Sequence, residues 1–137
     1  MTTPFTYTGF VNNLSGMTIT GVTRQYTAPP ATFNTADLPT SYPRVPEGAN
    51  SMVTLDGGRG LHTATVDLVI VVEMVRQNSN PTNFSAAIAL IDAMETAFAA
   101  NTITYGIDRW AIRQNFEQTG PDTWAWQIIA RVEGSGT

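Results

Sequence analysis

Few residues of this chain have a type and spacing that could support catalysis. His62 is the one histidine, and no serine lies in a Gly-x-Ser-x-Gly motif that would set a nucleophile beside it. Asp92 and Glu95 are three residues apart on a predicted helix, where two carboxylates could act as acid and base or bind a metal. An isolated pair at this spacing is more often a solvated helix face. We therefore predict no catalytic residue and do not expect an enzyme.

Cofactor and metal chemistry is restricted by the residue types that are missing. The chain has no cysteine, which excludes thiolate metal sites and iron–sulfur clusters. All seven basic residues are arginines, which excludes a Walker A lysine and Schiff-base chemistry. The glycine-rich residues 57–60 could hold a phosphate on backbone N–H groups, but they lie between two predicted strands and suit a hairpin turn. We predict no metal ligand and no cofactor-binding residue.

Two carboxylates fall within the longest apolar run of the chain. Asp67 and Glu73 lie six residues apart on one predicted strand, so their Cα atoms are roughly 20 Å apart and cannot act together. A buried carboxylate between apolar neighbours is costly unless an arginine pairs with it. We expect pairing with Arg113 or Arg131 on neighbouring strands, or with a neighbouring chain.

Three tryptophans have two possible roles. Trp110, Trp124 and Trp126 could form a stacking platform for sugars or bases. Trp124 and Trp126 also share the parity of Ile128 and Val132, which is typical of a core face covered by a helix. A small ligand-binding module that uses the Trp110, Trp124 and Trp126 face is therefore the alternative function.

Length and charge limit the class of protein. A chain of 137 residues predicts one domain, residues 1–137. The net charge of −4 makes it a poor candidate for gripping nucleic acid by phosphate neutralisation. Charged residues make up 13% of the chain, about half the usual share, so we expect other chains to cover much of its surface. No apolar run reaches membrane-spanning length and no secretory signal is recognised at the N-terminus, so no membrane association is expected.

The first half of the chain predicts little regular structure. Residues 5–14 predict a short helix that ends at Gly16, and the β-branched residues 17–26 predict a strand. Residues 27–50 contain five of the eight prolines and predict a long loop, which excludes a central strand there. Structureless loops of this length are uncommon unless they are functional or disordered. The apolar side chains of this loop indicate that it docks on a surface.

The second half predicts a sheet and a long helix. Residues 51–55 and 61–75 predict a hairpin, and Val66, Leu68, Ile70, Val72 and Met74 share one face of its second strand. Residues 84–100 predict a helix that is capped by Thr82 or Asn83 and ends at Asn101. Its apolar stripe is formed by Phe84, Ala87, Ile88, Ile91, Met94 and Phe98. Residues 102–116 and 123–133 predict two more strands. The fold class is α+β, a mostly antiparallel sheet of about five strands packed against one long and one short helix.

The order of these elements resembles a phage protein family. Residues 19–30 read as a strand with Gly-Val followed by a Pro-Pro pair, and residues 35–39 read Thr-Ala-Asp-Leu-Pro. The long apolar strand 66–75 and the helix 84–100 follow. This order is similar to that of the tail terminator (tail completion) proteins of long-tailed, siphovirus-type phages and gene transfer agents.

The resemblance implies a virion structural protein. Six copies would form a ring at the head-proximal end of the tail tube, stop tube polymerisation and join the tail to the head–tail connector (stopper) protein. The genome would pass through the lumen without specific binding. The implied location is the virion tail, after assembly in the host cytoplasm.

The loop at residues 27–50 is the predicted contact with other subunits or with the tail tube. Phe33, Leu38 and Tyr42 would be its anchors, because aromatic and aliphatic side chains carry most interface energy. Asp37 would pair with Arg24 or Arg44 across the contact. The alternative is that the loop folds back over its own sheet.

Overall fold

The computed structural model describes residues 4–46, 54–55, 62–76 and 83–137. These residues form the predicted α+β fold, in which a mostly antiparallel sheet packs against two helices. A short 3-10 helix spans Thr35–Asp37. The other elements, in chain order, are α1 (Tyr7–Ser15), β1 (Arg24–Gln25), β2 (Thr40–Arg44), β3 (Thr54–Leu55), β4 (His62–Arg76), α2 (Phe84–Ala100), β5 (Ile107–Gln118) and β6 (Thr123–Gly136).

The sheet is built around the long pair β4 and β6. Its path is β1-β2-β4-β6-β5, and β3 pairs with β4 beyond the end of β2. β1 pairs with β2 in parallel, and the other described pairs are antiparallel. The antiparallel pairing of β3 with β4 agrees with the predicted hairpin. Its predicted turn and the glycine-rich residues 57–60 lie outside the described residues.

Both helices pack on one face of the sheet, which we call the helix face. The buried side chains there come from α1, α2, β4 and β6; the largest are Phe10, Leu14, Leu68, Ile70, Leu90, Met94, Phe98 and Ile128. Burying apolar side chains of this size contributes about 1.5–3 kcal/mol each. The helix face is therefore the main core of the described chain.

The predicted short helix is confirmed as α1. The Thr6 side chain accepts a hydrogen bond from the Gly9 N–H at its N-terminus, and the Gly16 N–H donates to the Asn12 carbonyl at its C-terminus. Phe10 and Leu14 are four residues apart, so both point into the core. The Tyr7 hydroxyl, at the start of α1, donates to the Thr65 carbonyl at 2.9 Å. Thr65 lies on β4 between the residues that pair with β2 and those that pair with β3.

The long helix α2 has the predicted ends but a rotated buried face. It begins after Asn83 and ends at Asn101. Ala87, Met94 and Phe98 of the predicted stripe are buried, whereas Phe84 is 66% and Ile88 43% exposed. Leu90 and Ala97 are buried instead. The stripe prediction was wrong for Phe84 and Ile88 because the helix is apolar around much of its circumference, so the sequence pattern alone did not select the face.

The prediction of a strand over residues 17–26 was wrong for most of that segment. Within residues 17–26, only Arg24–Gln25 forms a strand. Met17 and Ile19 are buried in the core without strand pairing, and the chain then turns at Gly21, whose φ is +99°. A φ in the left-handed region suits glycine and interrupts an extended strand.

The exclusion of a central strand from residues 27–50 was also wrong, because β2 lies between β1 and β4. In a strand the N–H and C=O of one residue point to the same side. The Ser41 carbonyl accepts a hydrogen bond from the Tyr26 N–H on the β1 side. Pro43 has the same parity, so its missing N–H falls on that side too, beyond the last β1 pair at Ser41. The proline therefore removes no bond to β4.

A β-bulge in β4 reverses the predicted alternation at its end. The register shifts between Val71 and Glu73, so Val71 pairs with Gln127 and Glu73 with Trp126. An extra residue in one strand turns the following side chains to the opposite face. Met74 accordingly packs on the face opposite the helices, which corrects its predicted position beside Val72.

The last two strands are shifted toward the C-terminus. Residues 102–105 form a turn, and β5 begins at Ile107 rather than at residue 102. Gly106 has a φ of +73°, and a Cβ there would lie 2.4 Å from the Ser135 carbonyl oxygen. β6 extends to Gly136, beyond the predicted end at residue 133, and pairs with the start of β4.

Candidate functional site

The sheet face opposite the helices is covered in part by the proline-rich segment, and we call it the loop face. Tyr42, Val69, Val71, Ala125 and Ile129 form its buried apolar cluster. Tyr26, Phe33, Leu38 and Met74 pack over this cluster and remain partly exposed. The loop face is the place where the predicted interface residues and the buried charges of the sheet meet.

A groove of about 530 Å³ separates the proline-rich segment from the turn between β5 and β6. Residues 29–33 form one wall, and Glu117, Thr119 and Gly120 line the other. Tyr42, Arg44 and Met74 also line it. The groove therefore combines apolar walls with an arginine, a carboxylate and a phenol.

The polar groups beside the groove bond to one another through a buried amide. Gln127 is fully buried, and its Nε2 donates to Glu117 Oε2 at 2.7 Å and to the Tyr42 hydroxyl at 3.4 Å. The Asn115 Nδ2 donates to the Gln127 Oε1 at 3.0 Å. Burial, and then the charge of Glu117, raises the pKa of Tyr42 above its ordinary value. Tyr42 is therefore a neutral phenol at physiological pH.

Asp67 is the centre of a second polar cluster. Its carboxylate is fully buried and accepts from Arg131 Nε at 3.1 Å and from Arg44 Nη2 at 3.4 Å. The predicted pairing of Asp67 with Arg131 is confirmed, and pairing with Arg113 is not observed in the described chain. The hydrogen bond to Asp67 raises the pKa of Arg131. Arg44 was missed as a partner because its segment was predicted to be a loop.

The charge of this cluster is not balanced within it. One carboxylate serves two guanidinium groups, so the trio carries a net charge of +1. The Arg44 Nε is buried and has no hydrogen-bond partner among the described residues. A buried donor without a partner is costly. The position of Arg44 therefore depends on its ion pair with Asp67 and on the packing around it.

The six predicted interface residues lie on or beside the loop face. Phe33 packs against Tyr42, with ring centroids 5.8 Å apart, and Leu38 packs on the same cluster. Arg24 lies over the Tyr26 ring, 4.9 Å from its centroid. These contacts agree with the alternative that the segment folds back over its own sheet. A role of these residues between subunits stays a prediction.

The predicted pairing of Asp37 is not found within the chain. Asp37 forms no ion pair with Arg24 or Arg44 in the part of the chain that the structure describes. Arg44 is occupied by Asp67 instead. The prediction concerned a pair across a contact with another subunit, which one chain does not test.

Glu73 has a structural role that the sequence did not predict. Its Oε1 accepts a hydrogen bond from the backbone N–H of Asn83, at 3.0 Å, at the N-terminus of α2. A carboxylate is favourable there because the first N–H groups of a helix have no partner within it. The β-bulge explains the contact, since it turns Glu73 to the helix face.

The three tryptophans do not form one open surface. Trp126 is 4% exposed, its ring stacks on Phe116, and its Nε1 donates to Gln114 Oε1 at 3.3 Å. Trp110 is half-buried against Phe98, with ring centroids 5.5 Å apart. Almost none of the Trp126 side chain is therefore open to a ligand.

The other candidates for chemistry are isolated from one another. His62 is the first residue of β4, and Asp92 and Glu95 are exposed on α2. Among the residues that the structure describes, no group of three His, Asp or Glu side chains could hold a metal ion. No described helix is long and apolar enough to cross a membrane.

Comparison with known proteins adds no family to this picture. No protein-family model matches the chain, and no curated protein matches it either.

Proposed function

We propose that the chain is a virion structural protein, a tail terminator that forms a ring of six copies at the head-proximal end of a phage tail tube. The ring stops tube polymerisation and joins the tail to the head–tail connector. The resemblance of residues 19–39 to that family supports the proposal, together with an α+β fold of the expected kind. No enzymatic activity is proposed.

The observation that carries the proposal is the apolar surface of a weakly charged chain. Large apolar side chains stand exposed at several separate places: Val45 (55%), Phe84 (66%), Ile88 (43%), Ile103 (95%) and Phe116 (43%). Only 13% of all residues are charged. Single exposed apolar residues are ordinary in monomers, but this number beside so few charges favours a subunit whose surface is covered by other chains.

The open edge of the sheet supports the same proposal. β5 is the last strand of the sheet path, and its 12 residues have no strand partner on the outer side among the described residues. A long, unpaired edge is a template for another chain unless charged residues protect it. Arg109, Arg113 and Glu117 stand along this strand, so a partner must match their charges.

The acidic charge of the chain suits the proposed position in the virion. A net charge of −4 disfavours phosphate binding, so DNA would pass through the lumen without specific contacts. The partners are further copies of the chain, the tail tube protein and the connector, and no membrane is involved. Assembly takes place in the host cytoplasm.

The mass of the purified protein tests the proposal. A hexamer has a mass of about 89 kDa, six times the 14.8 kDa of one chain. We expect light scattering to give this mass at high concentration, or the protein to co-sediment with added tail tubes, because each contact should bury more than about 1,000 Å². A protein that stays at 14.8 kDa at high concentration and does not co-sediment with tail tubes contradicts the ring.

A further inference from the structure

Four arginines of the described chain lie together on one part of the loop face. On the loop face, paired strand residues bring Arg44, Asp67, Arg131 and Ala111 into one row. Arg113 stands two residues along β5, and Arg109 pairs with Glu133 in the next row. We call this part of the loop face the arginine face.

The arginine face has an excess of positive charge on an acidic protein. Its four arginines stand against three carboxylates, Asp67, Glu133 and Asp108, the last of which acts on Arg109, so the net charge is +1. Arg113 is exposed and has no carboxylate partner in the described chain. The side chain of Arg131 is 42% exposed despite its bond to Asp67. The proline-rich segment covers the apolar cluster beside this surface and leaves the arginines open to a partner.

The exposed side of α2 carries the opposite charge. Phe84, Ile88, Asp92 and Glu95 follow one another at spacings of four, four and three, so they form one line along the helix. α2 contains no basic residue, and neither carboxylate pairs with an arginine among the described residues. The net charge of this line, which we call the α2 stripe, is −2.

The spacing of the two carboxylates on the α2 stripe is close to that of two arginines on the arginine face. Asp92 and Glu95 have Cβ atoms about 5–6 Å apart, as residues three apart on a helix do. Arg131 pairs with Ala111, so Arg113 is its diagonal neighbour on the next strand, about 7–8 Å away. Arginine side chains are long enough to bridge this difference. Two carboxylates on one surface can therefore meet two guanidinium groups on the other.

We propose that the α2 stripe of one copy docks on the arginine face of the next copy. The two surfaces lie on opposite faces of the sheet, so the contact is head-to-tail and can repeat from subunit to subunit. Contacts of this kind close into rings when the rotation allows it. The inference rests on the proposed function and names the surfaces by which its ring would form.

Two charge-reversed variants test the contact. The first, Asp92→Arg with Glu95→Arg, changes the α2 stripe from −2 to +2. The second, Arg109→Glu with Arg113→Glu, changes the arginine face from +1 to −3 and leaves the Asp67 cluster intact. Each variant alone should associate at least about tenfold more weakly than the wild type, because like charges then face each other. An equimolar mixture should associate more strongly than either variant alone, because each reversed surface then meets one of opposite net charge.

The controls separate this contact from folding and from the ring itself. Asp122→Arg reverses one exposed charge in the β5–β6 turn and should associate as the wild type does. Thermal melting should be alike for all variants; if a reversed variant unfolds, the neutral changes Asp92→Asn and Arg113→Gln replace it and should weaken association several-fold. Reversed variants that associate as the wild type does, or a mixture that associates no better than either variant, would contradict this contact but not the proposed ring. A wild type that stays monomeric, alone and with tail tubes, overturns both.

Discussion

Replacing Asp67 with alanine is expected to lower the free energy of unfolding by about 2–4 kcal/mol. Breaking a buried ion pair by removing one partner costs about 3–5 kcal/mol, because the remaining charge stays buried without compensation. Arg44 and Arg131 are 23% and 42% exposed, so water relieves part of that cost. Without the carboxylate, the two guanidinium groups repel each other across β2, β4 and β6.

Urea denaturation of the variant and of a matched control measures this effect. Asp122→Ala removes an exposed carboxylate from the β5–β6 turn and should change the free energy of unfolding by no more than about 0.5 kcal/mol. Asp67→Asn keeps the side-chain volume and one acceptor, so it should lie between the two. An Asp67→Ala variant as stable as Asp122→Ala would show that the cluster does not hold the three strands together.

Replacing both Phe33 and Leu38 with serine is expected to destabilise the monomer by about 2–4 kcal/mol. A fully buried side chain of this size costs about 2–5 kcal/mol when truncated, and both residues are only partly buried on the loop face. The ring of Phe33 would leave Tyr42, and the groove behind it would open. The expected loss follows from the packing of the proline-rich segment on its own sheet.

The same variant also tests the interface prediction for this segment. Val45→Ser is the control for stability, since Val45 is apolar, 55% exposed and outside the loop-face cluster. Chemical denaturation gives the stability of the monomer, and light scattering gives association per folded molecule. An unchanged monomer with weakened association would contradict the packing explanation and would assign Phe33 and Leu38 to a contact with another chain.

The sequence predicted those elements in which one pattern of apolar residues, helical or alternating, continues along the whole element. α2 has one long helical run bounded by asparagines, and β6 alternates strictly, so the ends of α2 and the core position of Trp126 agree with the structure. The pairing of Asp67 with Arg131 also followed from one physical requirement, that a carboxylate buried in a strand needs a cation beside it.

The rest depends on contacts that no local pattern encodes. No residue pattern in β4 signals the β-bulge at Val72, yet the bulge turns Glu73 to the helix face and Met74 to the loop face. Pro43 is tolerated in β2 only because β1 ends before it. The exposed side of α2 was set by packing against the sheet rather than by its periodicity, so the position of Phe84 and Ile88 could not be read from the sequence.

The candidate site was predicted in its residues but not in its arrangement. The sequence selected Phe33, Leu38 and Tyr42 because a long loop seldom carries such side chains without a use, and it selected Arg44 as a possible partner of Asp37. It did not predict that Tyr42 and Arg44 belong to a strand, where they meet Gln127 and Asp67. The separation of charge between the arginine face and the α2 stripe likewise needs the strand register.

The length of tails assembled without this chain is the most direct measurement of the central proposal. The gene is disrupted in the genome that encodes it, and the particles that assemble are imaged by electron microscopy. A tail terminator should leave tubes of irregular, excessive length and filled heads without tails, and supplying the protein from a plasmid should restore both. Tails of normal length joined to heads in the absence of the chain would contradict the proposal.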